Sequence, residues 1–271
     1  MKRVLLALRP TLRQTLRILL AWLYTSVYWS VVPLLQVLTF KRIPLPLLAR
    51  ILRFWADSIF KIIGIRMELV NPSTLEGRGS RVVVSNHQSA LDMVVGAALA
   101  PEGVVVVAKK EIAYIPFINL GWWALDFIRI DRGNPKKAIQ SLSGVAQKIS
   151  SNRRSLWILS EGTRSPPGEV RAFKKGAFHI AIEAQVPVYP VAIYGTGELL
   201  SKKGYLPQPG LIQIQFLPPV ETRGMTAQDV DALAGQVQRQ VAEAYEALKQ
   251  KRLGAGRTFT ITADKRLFRT L

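Results

Sequence analysis

The sequence contains no cysteine. Disulfides, thiolate zinc sites and cysteine nucleophiles are therefore excluded. Histidine is almost as scarce: His87 and His179 are the only two. Any chemistry that needs an imidazole must use one of them, and neither sits in an H-E-x-x-H arrangement, so no metal site is expected. Acidic residues are also few, 18 Asp and Glu against 37 Lys and Arg, giving a formal charge of +19. That balance points to a polyanionic partner: nucleic acid, an anionic membrane or a phosphorylated substrate. No nucleic-acid-binding module is recognisable, and the positive charge is spread along the chain. Internal repeats, low-complexity tracts and a G-x-S-x-G serine elbow are likewise missing. What is present in quantity is apolar: 49% of the 271 residues are hydrophobic. Disorder is thus excluded as the main state, and the length suits one α/β domain with an appendage, or two small domains.

Charge is missing altogether from Ile18 to Phe40, a run of 23 residues. That is enough to cross a bilayer core of ~30 Å at ~1.5 Å per residue. Against a simple span, Pro33 interrupts the run, the rings of Trp22, Tyr24, Tyr28 and Trp29 favour an interface, and basic residues flank both sides. The run exceeds a signal-peptide core, and no small-residue cleavage site follows it. Leu47 to Ile63 comes next. Arg50, Arg53, Asp57 and Lys61 form one polar stripe, and Leu48, Ile51, Leu52, Trp55, Ile59 and Ile62 or Ile63 fill the opposite face. This is an amphipathic helix that lies in a membrane surface or packs on the domain. Residues 1–64 are expected to form a membrane-attaching region of two or more helices, spanning or in plane.

After Gly64 strands and helices alternate. Strand patterns occur in RMELV, RVVVSN, VVVVAKK, DFIRIDR, SLWILS, VPVYPVAIYG and LIQIQFLPPV. Helical patterns occur in SALDMVVGAALA, PKKAIQSLSGVAQKIS, KGAFHIAIEA and a long stretch after the capping pair Thr226 and Asp229. The expected fold is α/β, a mixed, largely parallel sheet flanked by helices over residues 65–252. Residues 253–271 are expected to form a loosely ordered basic tail.

Three stretches carry possible chemistry. In SNHQSALDMVVG, His87 and Asp92 would point ~140° apart on an unbroken helix. They meet only if His87 lies in the loop after a strand and Asp92 in the first turn of the next helix. The carboxylate would then fix the imidazole tautomer and leave the other nitrogen free as a base. The alternative is structural: Ser89 as N-cap and Asp92 completing a capping box. The second stretch, LSEGTRSPPGEVRAFKKGAF, combines glycines that let backbone approach a ligand with cations that bind phosphate, or it is a solvated basic loop. The third, DFIRIDRGNPKK, ends a strand at Arg132, which is a phosphate clamp or simply a surface residue. His179 is expected to pack within its helix. Lys109 and Lys110 end another strand, beside a basic pocket or in solvent.

In this order the motifs resemble the 1-acylglycerol-3-phosphate acyltransferase family. N-H-x4-D is present as Asn86-His87-x4-Asp92. The Asp-Arg motif matches Arg129-Ile130-Asp131-Arg132. The family's P-E-G-T-R-S appears as Ser160 to Ser165, and its V-P-x-x-P-V strand as Val186 to Val191. Arg129 stands where the family often has an aromatic. Ser160 stands where it has proline, a change expected to loosen the loop before Glu161.

The resemblance implies a glycerolipid acyltransferase-like fold and acyl transfer from acyl-CoA or acyl carrier protein to the free hydroxyl of lysophosphatidic acid, within phospholipid synthesis. It implies His87 as general base oriented by Asp92. Arg132, Gly162, Thr163 and Arg164, with Lys174 or Lys175, would hold the acceptor phosphate, and Glu161 would accept from a glycerol hydroxyl or from Arg164. Asn86 and Pro187 would shape the pocket. The oxyanion would be met by amides near Ser89 or in the Gly162 loop. No tightly bound cofactor is implied, and no nucleic-acid partner. Anionic membrane lipids and a site on the cytoplasmic face, at the inner membrane if bacterial, are expected. Two other readings are open: an acyltransferase for another lyso-lipid, such as a lyso-ornithine lipid, and a non-enzymatic basic membrane-binding protein.

Overall fold

The computed structural model describes residues 12–40, 43–71, 79–99, 104–109, 128–130, 144–150, 154–166, 168–202, 204 and 206–254. In chain order these form α1 (Leu12–Leu38), α2 (Leu45–Ile63), β1 (Ile65–Val70), β2 (Val82–Ser85), α3 (Leu91–Ala98), β3 (Val104–Lys109) and β4 (Ile128–Ile130). Then come α4 (144–150), β5 (Ser155–Leu159), α5 (Gly176–Ala184), β6 (Val188–Tyr194), a four-residue α6 (Thr196–Leu199), β7 (Gly210–Phe216) and α7 (Val230–Gly254). The expected 253–271 tail lies mostly outside the described residues.

The seven strands make one sheet in the order β1-β7-β6-β2-β5-β3-β4. Only the β6–β7 pairing is antiparallel. The sheet is therefore mixed and largely parallel, and it is buried on both faces. Val82, Val83 and Val84 show why β2 sits at its centre: all three are wholly buried. Because successive strand side chains point to opposite faces, Val82 and Val84 join α4, α5 and α7 on one side, while Val83 joins α2 and α3 on the other. Leu156 and Trp157, and Val191 and Ala192, divide in the same way. Each such valine or leucine contributes roughly 1.5–3 kcal/mol on leaving water.

Helix α2 packs on the domain. Leu48, Leu52, Ala56, Ile59, Phe60 and Ile63 are buried, and most of them join the core with α3. Gly64 ends the helix at φ 88°, a left-handed conformation that favours glycine, with its N–H on Phe60 O. Helix α1 runs back along α2 as an antiparallel hairpin. The Tyr28 hydroxyl donates to Ile51 O, and the Trp29 and Trp55 rings meet edge to face at 5.5 Å. Pro33 does not interrupt α1, contrary to the sequence expectation: the helix continues to Leu38, with Val32, Pro33 and Gln36 buried. Its other side is bare. Leu16, Leu19, Trp22, Leu23, Val27, Val31, Leu34 and Leu38 are all exposed. Its 27 residues make it long and apolar enough to cross a membrane.

Candidate active site

The site forms where β2 ends. Asn86 is wholly buried; its Nδ2 donates to Ile193 O and its Oδ1 accepts Ile193 N–H, each at 2.8 Å. The carboxamide copies a backbone unit and extends the β2–β6 ladder by one step. The chain then turns through Gln88 and Ser89 into α3.

That turn brings His87 to Asp92. Only Asp92 is helical, so the wide angle of an unbroken helix does not apply. Nδ1 lies 2.9 Å from Asp92 Oδ2. The same oxygen accepts Gln88 N–H at 2.7 Å and Ser89 N–H at 2.8 Å, while Ser89 Oγ accepts Leu91 N–H at 3.2 Å. The capping box and the His–Asp pair were alternatives in the sequence; the pair forms, and the same carboxylate oxygen takes the Ser89 N–H that half of a box would use, while the N-cap of the helix itself is Ala90, with no side-chain cap. Asp92 is wholly buried, and the His87 side chain keeps 17% of its exposure. With a carboxylate facing Nδ1, that nitrogen carries the proton and Nε2 presents the lone pair. Among the described residues Nε2 has no hydrogen-bond partner.

The other wall follows β5. Ser160 N–H donates to Ser85 O at 3.0 Å, prolonging the β2–β5 pairing. The residue expected to loosen this loop instead adds a ladder bond that proline lacks the N–H to make. Glu161 is buried. Its Oε1 accepts His87 N–H at 2.9 Å, and its Oε2 accepts the Ser165 hydroxyl and Arg171 N–H. Ser165 N–H in turn donates to His87 O at 2.8 Å. Both backbone groups of His87 are thus held by the 161–165 loop. This corrects the expected outward role of Glu161: its oxygens face the protein, not Arg164 or a glycerol hydroxyl. Burial pushes its carboxyl up to about 7, opposed by the His87 and Arg171 amides. Gly162 turns the chain at φ 74°, where a side chain would be strained.

The cations divide. Arg164 is half-buried, and its guanidinium has no partner among the described residues. Thr163, next to it in sequence, is exposed, as is Lys174, whose backbone N–H anchors the loop on Ser160 O at 2.7 Å. Lys202, which the sequence reading passed over, donates to Arg164 O at 3.2 Å. Lys175 turns the other way and pairs with Asp231 on α7 at 2.6 Å, an exposed contact worth about 0–1 kcal/mol. Arg132 and Lys110 lie outside the described residues. The backbone of Lys109 ends β3 on the same carboxyl edge of the sheet.

Two expectations fail on position. Pro187 precedes β6, and its carbonyl accepts Val82 N–H at the start of β2. Since β2 and β6 are parallel, Pro187 lies at the opposite end of the sheet from His87 and does not shape this pocket. His179 is on α5 as expected but is exposed, not packed. The sequence reading also missed Gln88 and Tyr245. Both are buried, and the Tyr245 hydroxyl donates to Gln88 Oε1 at 3.1 Å. The x positions of N-H-x4-D gave no signal for Gln88, and Tyr245 read only as part of an apolar helix face. Among the described residues no group of three or more His, Asp or Glu gathers as a metal site would need.

The family profile described as Acyltransferase matches residues 66–194, which include both walls of this site. The mouse 1-acyl-sn-glycerol-3-phosphate acyltransferase alpha is 36% identical over 196 residues, covering 72% of this chain and 69% of the mouse protein. The human protein of the same name is 35% identical over 207 residues, 76% of this chain and 73% of its own. The chain belongs to the 1-acylglycerol-3-phosphate acyltransferase family. As a member it is an acyltransferase, and the yeast (Saccharomyces cerevisiae) 1-acyl-sn-glycerol-3-phosphate acyltransferase is similar too, at 32% identity over 191 residues. The crystal structure of the 1-acyl-sn-glycerophosphate acyltransferase PlsC from Thermotoga maritima shares the fold. Its TM-score is 0.69 at 23% identity, over 91% of this chain and all of that one. Helices α1, α2 and α7 all lie outside the matched 66–194 segment.

Proposed function

We propose that this acyltransferase moves a fatty acyl group from acyl-CoA or acyl carrier protein to the free hydroxyl of 1-acyl-sn-glycerol 3-phosphate, making phosphatidic acid for phospholipid synthesis. The observation that carries the reading is the His87–Asp92 contact, with Nε2 left open beside the 161–165 loop. The names of the relatives favour the same acceptor.

An alcohol is a poor nucleophile at neutral pH. His87 Nε2 takes the hydroxyl proton as the oxygen attacks the thioester carbonyl carbon. The C–S bond then breaks, and the imidazolium returns the proton to the departing thiolate. Asp92 holds the tautomer and stabilises the imidazolium between the two steps; such general acid–base help is worth ~10²–10⁴-fold. Attack is direct, since the sequence has no cysteine and no G-x-S-x-G serine elbow.

The oxyanion needs donors with nothing else to hold. At the start of α3, the amides of Gln88, Ser89, Leu91 and Asp92 are already bonded to Asp92 or Ser89. The Thr163 and Arg164 amides have no partner among the described residues, as does Ala90, so the Gly162 loop is the richer source. Arg164 holds the acceptor phosphate in this reading, supported by Lys174 and Lys202, with Arg132 as a further clamp.

The bare apolar side of α1 gives the protein a membrane attachment, and the site faces the cytoplasmic leaflet. Leu200 and Gln208 connect the two. Leu200 O accepts the Ser89 hydroxyl, and Gln208 Oε1 accepts Gln14 Nε2 from the first turn of α1. The test is acyl transfer by the purified full chain to lysophosphatidic acid with each thioester donor in turn, beside a panel of other lyso-lipids. Turnover on another lyso-lipid alone would reject the acceptor named here.

A further inference from the structure

We propose that Tyr245, on the C-terminal helix α7, is a positioning residue for the His87–Asp92 pair. The proposal rests on the reading of His87 as the base. The Tyr245 hydroxyl makes two hydrogen bonds: it donates to Gln88 Oε1 at 3.1 Å, in a buried contact, and accepts Gly168 N–H at 3.2 Å in a partly buried one. The other end of the Gln88 carboxamide donates to Glu169 O at 3.1 Å. Gln88 N–H is the shortest of the three donors to Asp92 Oδ2, at 2.7 Å. One hydroxyl therefore ties the residue that follows His87 to the loop that follows the 161–165 motif.

The ring is fixed from behind. It meets Tyr194 edge to face at 5.3 Å, at the end of the strand whose Ile193 grips Asn86. Helix α7 touches the same loop a second time, through Gln238 Nε2 on Val170 O at 3.5 Å. With the ring immobile and both ends of the Gln88 carboxamide held, the Gln88 backbone has one orientation, and its N–H fixes Asp92. Releasing the carboxamide lets that N–H swing and loosens Asp92 against His87. A plain packing role needs the ring alone; the positioning role needs the oxygen.

Tyr245→Phe keeps the ring and removes the oxygen. For the full chain in detergent–phospholipid micelles, the variant is expected to melt within about 3 °C of the parent. Its kcat should fall ~10-fold or more, with KM for lysophosphatidic acid within about twofold. Gln88→Ala should show a similar loss, and the double variant no more than the larger single loss, because both act through one link. A second readout needs no acceptor. In a His179→Gln background His87 is the only histidine, and its Nδ1 proton should exchange with water at least about fivefold faster in Tyr245→Phe. A kcat within twofold of the parent, multiplicative losses, or unchanged exchange would overturn the proposal. If the parent acylates a different lyso-lipid, the proposed acceptor fails and the same comparison runs on the active one. If it acylates none, the exchange measurement decides Tyr245 alone.

Discussion

The buried carboxylate of Glu161 receives the backbone N–H of His87 at 2.9 Å, across 74 residues of sequence. The acidic residue of the 161–165 motif therefore acts on the protein's own His87 loop. Its carboxyl is raised from 4.5 to about 7 by burial. A raised carboxyl binds its proton more tightly folded than unfolded, so its contribution to stability is full below about pH 4.5 and is lost as pH rises to 7. The shift corresponds to something on the order of 3 kcal/mol. Glu161→Gln, which cannot ionise, should lack this slope. Denaturation of parent and variant between pH 4.5 and 8 checks it: the parent should lose stability relative to the variant as pH rises. A constant difference across that range would show that Glu161 does not titrate there.

The His87–Asp92 pair makes a direct kinetic prediction. His87→Ala should lower kcat ~10²–10⁴-fold, the usual worth of a general base. Asp92→Asn should cost at least ~10²-fold, because an amide satisfies the Gln88 and Ser89 N–H groups less well and no longer carries charge against the imidazolium. Circular dichroism should report a folded chain for His87→Ala. Near-native turnover in either variant ends the mechanism.

Two lysines and an arginine that look alike in the sequence should behave differently. Arg164→Ala should raise KM for a phosphorylated acceptor ~10-fold or more and move kcat less, since its guanidinium has no other partner among the described residues. Lys202→Ala, whose ammonium holds the Arg164 carbonyl, should do the same more weakly. Lys175→Ala should shift KM less than about twofold, because that ammonium faces Asp231. Equal effects at 164 and 175, measured with lysophosphatidic acid, would contradict this division.

What the sequence revealed follows physical range. The run Val82–Val84 announces a strand buried on both faces, and the spacing in α2 announces a helix with one buried side, because both are local periodicities. By spacing alone the approach of His87 to Asp92 is an open alternative, since five residues have no fixed geometry until the loop is known; the order of the motifs is what implies it. Neither reading allowed for one oxygen meeting both the imidazole and the turn amides. The His87 amide that Glu161 accepts is 74 residues away and left no local trace. Pro187, expected to shape the pocket, lies at the other end of the sheet because strand direction decides which edge it opens, and that depends on the crossover, not on the motif. Pro33 was read as a break because a missing N–H is visible in sequence, whereas the packing that holds α1 together around it is not.

The bare side of α1 supports a prediction about attachment. Leu23 and Leu34 are 63% and 56% exposed and contribute nothing to either core cluster. Substituting them should therefore leave the sheet and α2 intact. A lysine deep in hydrocarbon costs ~2.5–3.5 kcal/mol, less toward the interfaces where its stem reaches water. Leu23→Lys with Leu34→Lys should then weaken partitioning into phospholipid vesicles by well over ~10-fold, even if each residue sits away from the centre. Flotation of the full chain with vesicles of anionic and of neutral lipid measures this. The loss should appear with both lipids, because the apolar contact, not the charge, is what was removed. Partitioning that survives in anionic vesicles alone would mean that the surplus of basic residues, rather than α1, provides the attachment.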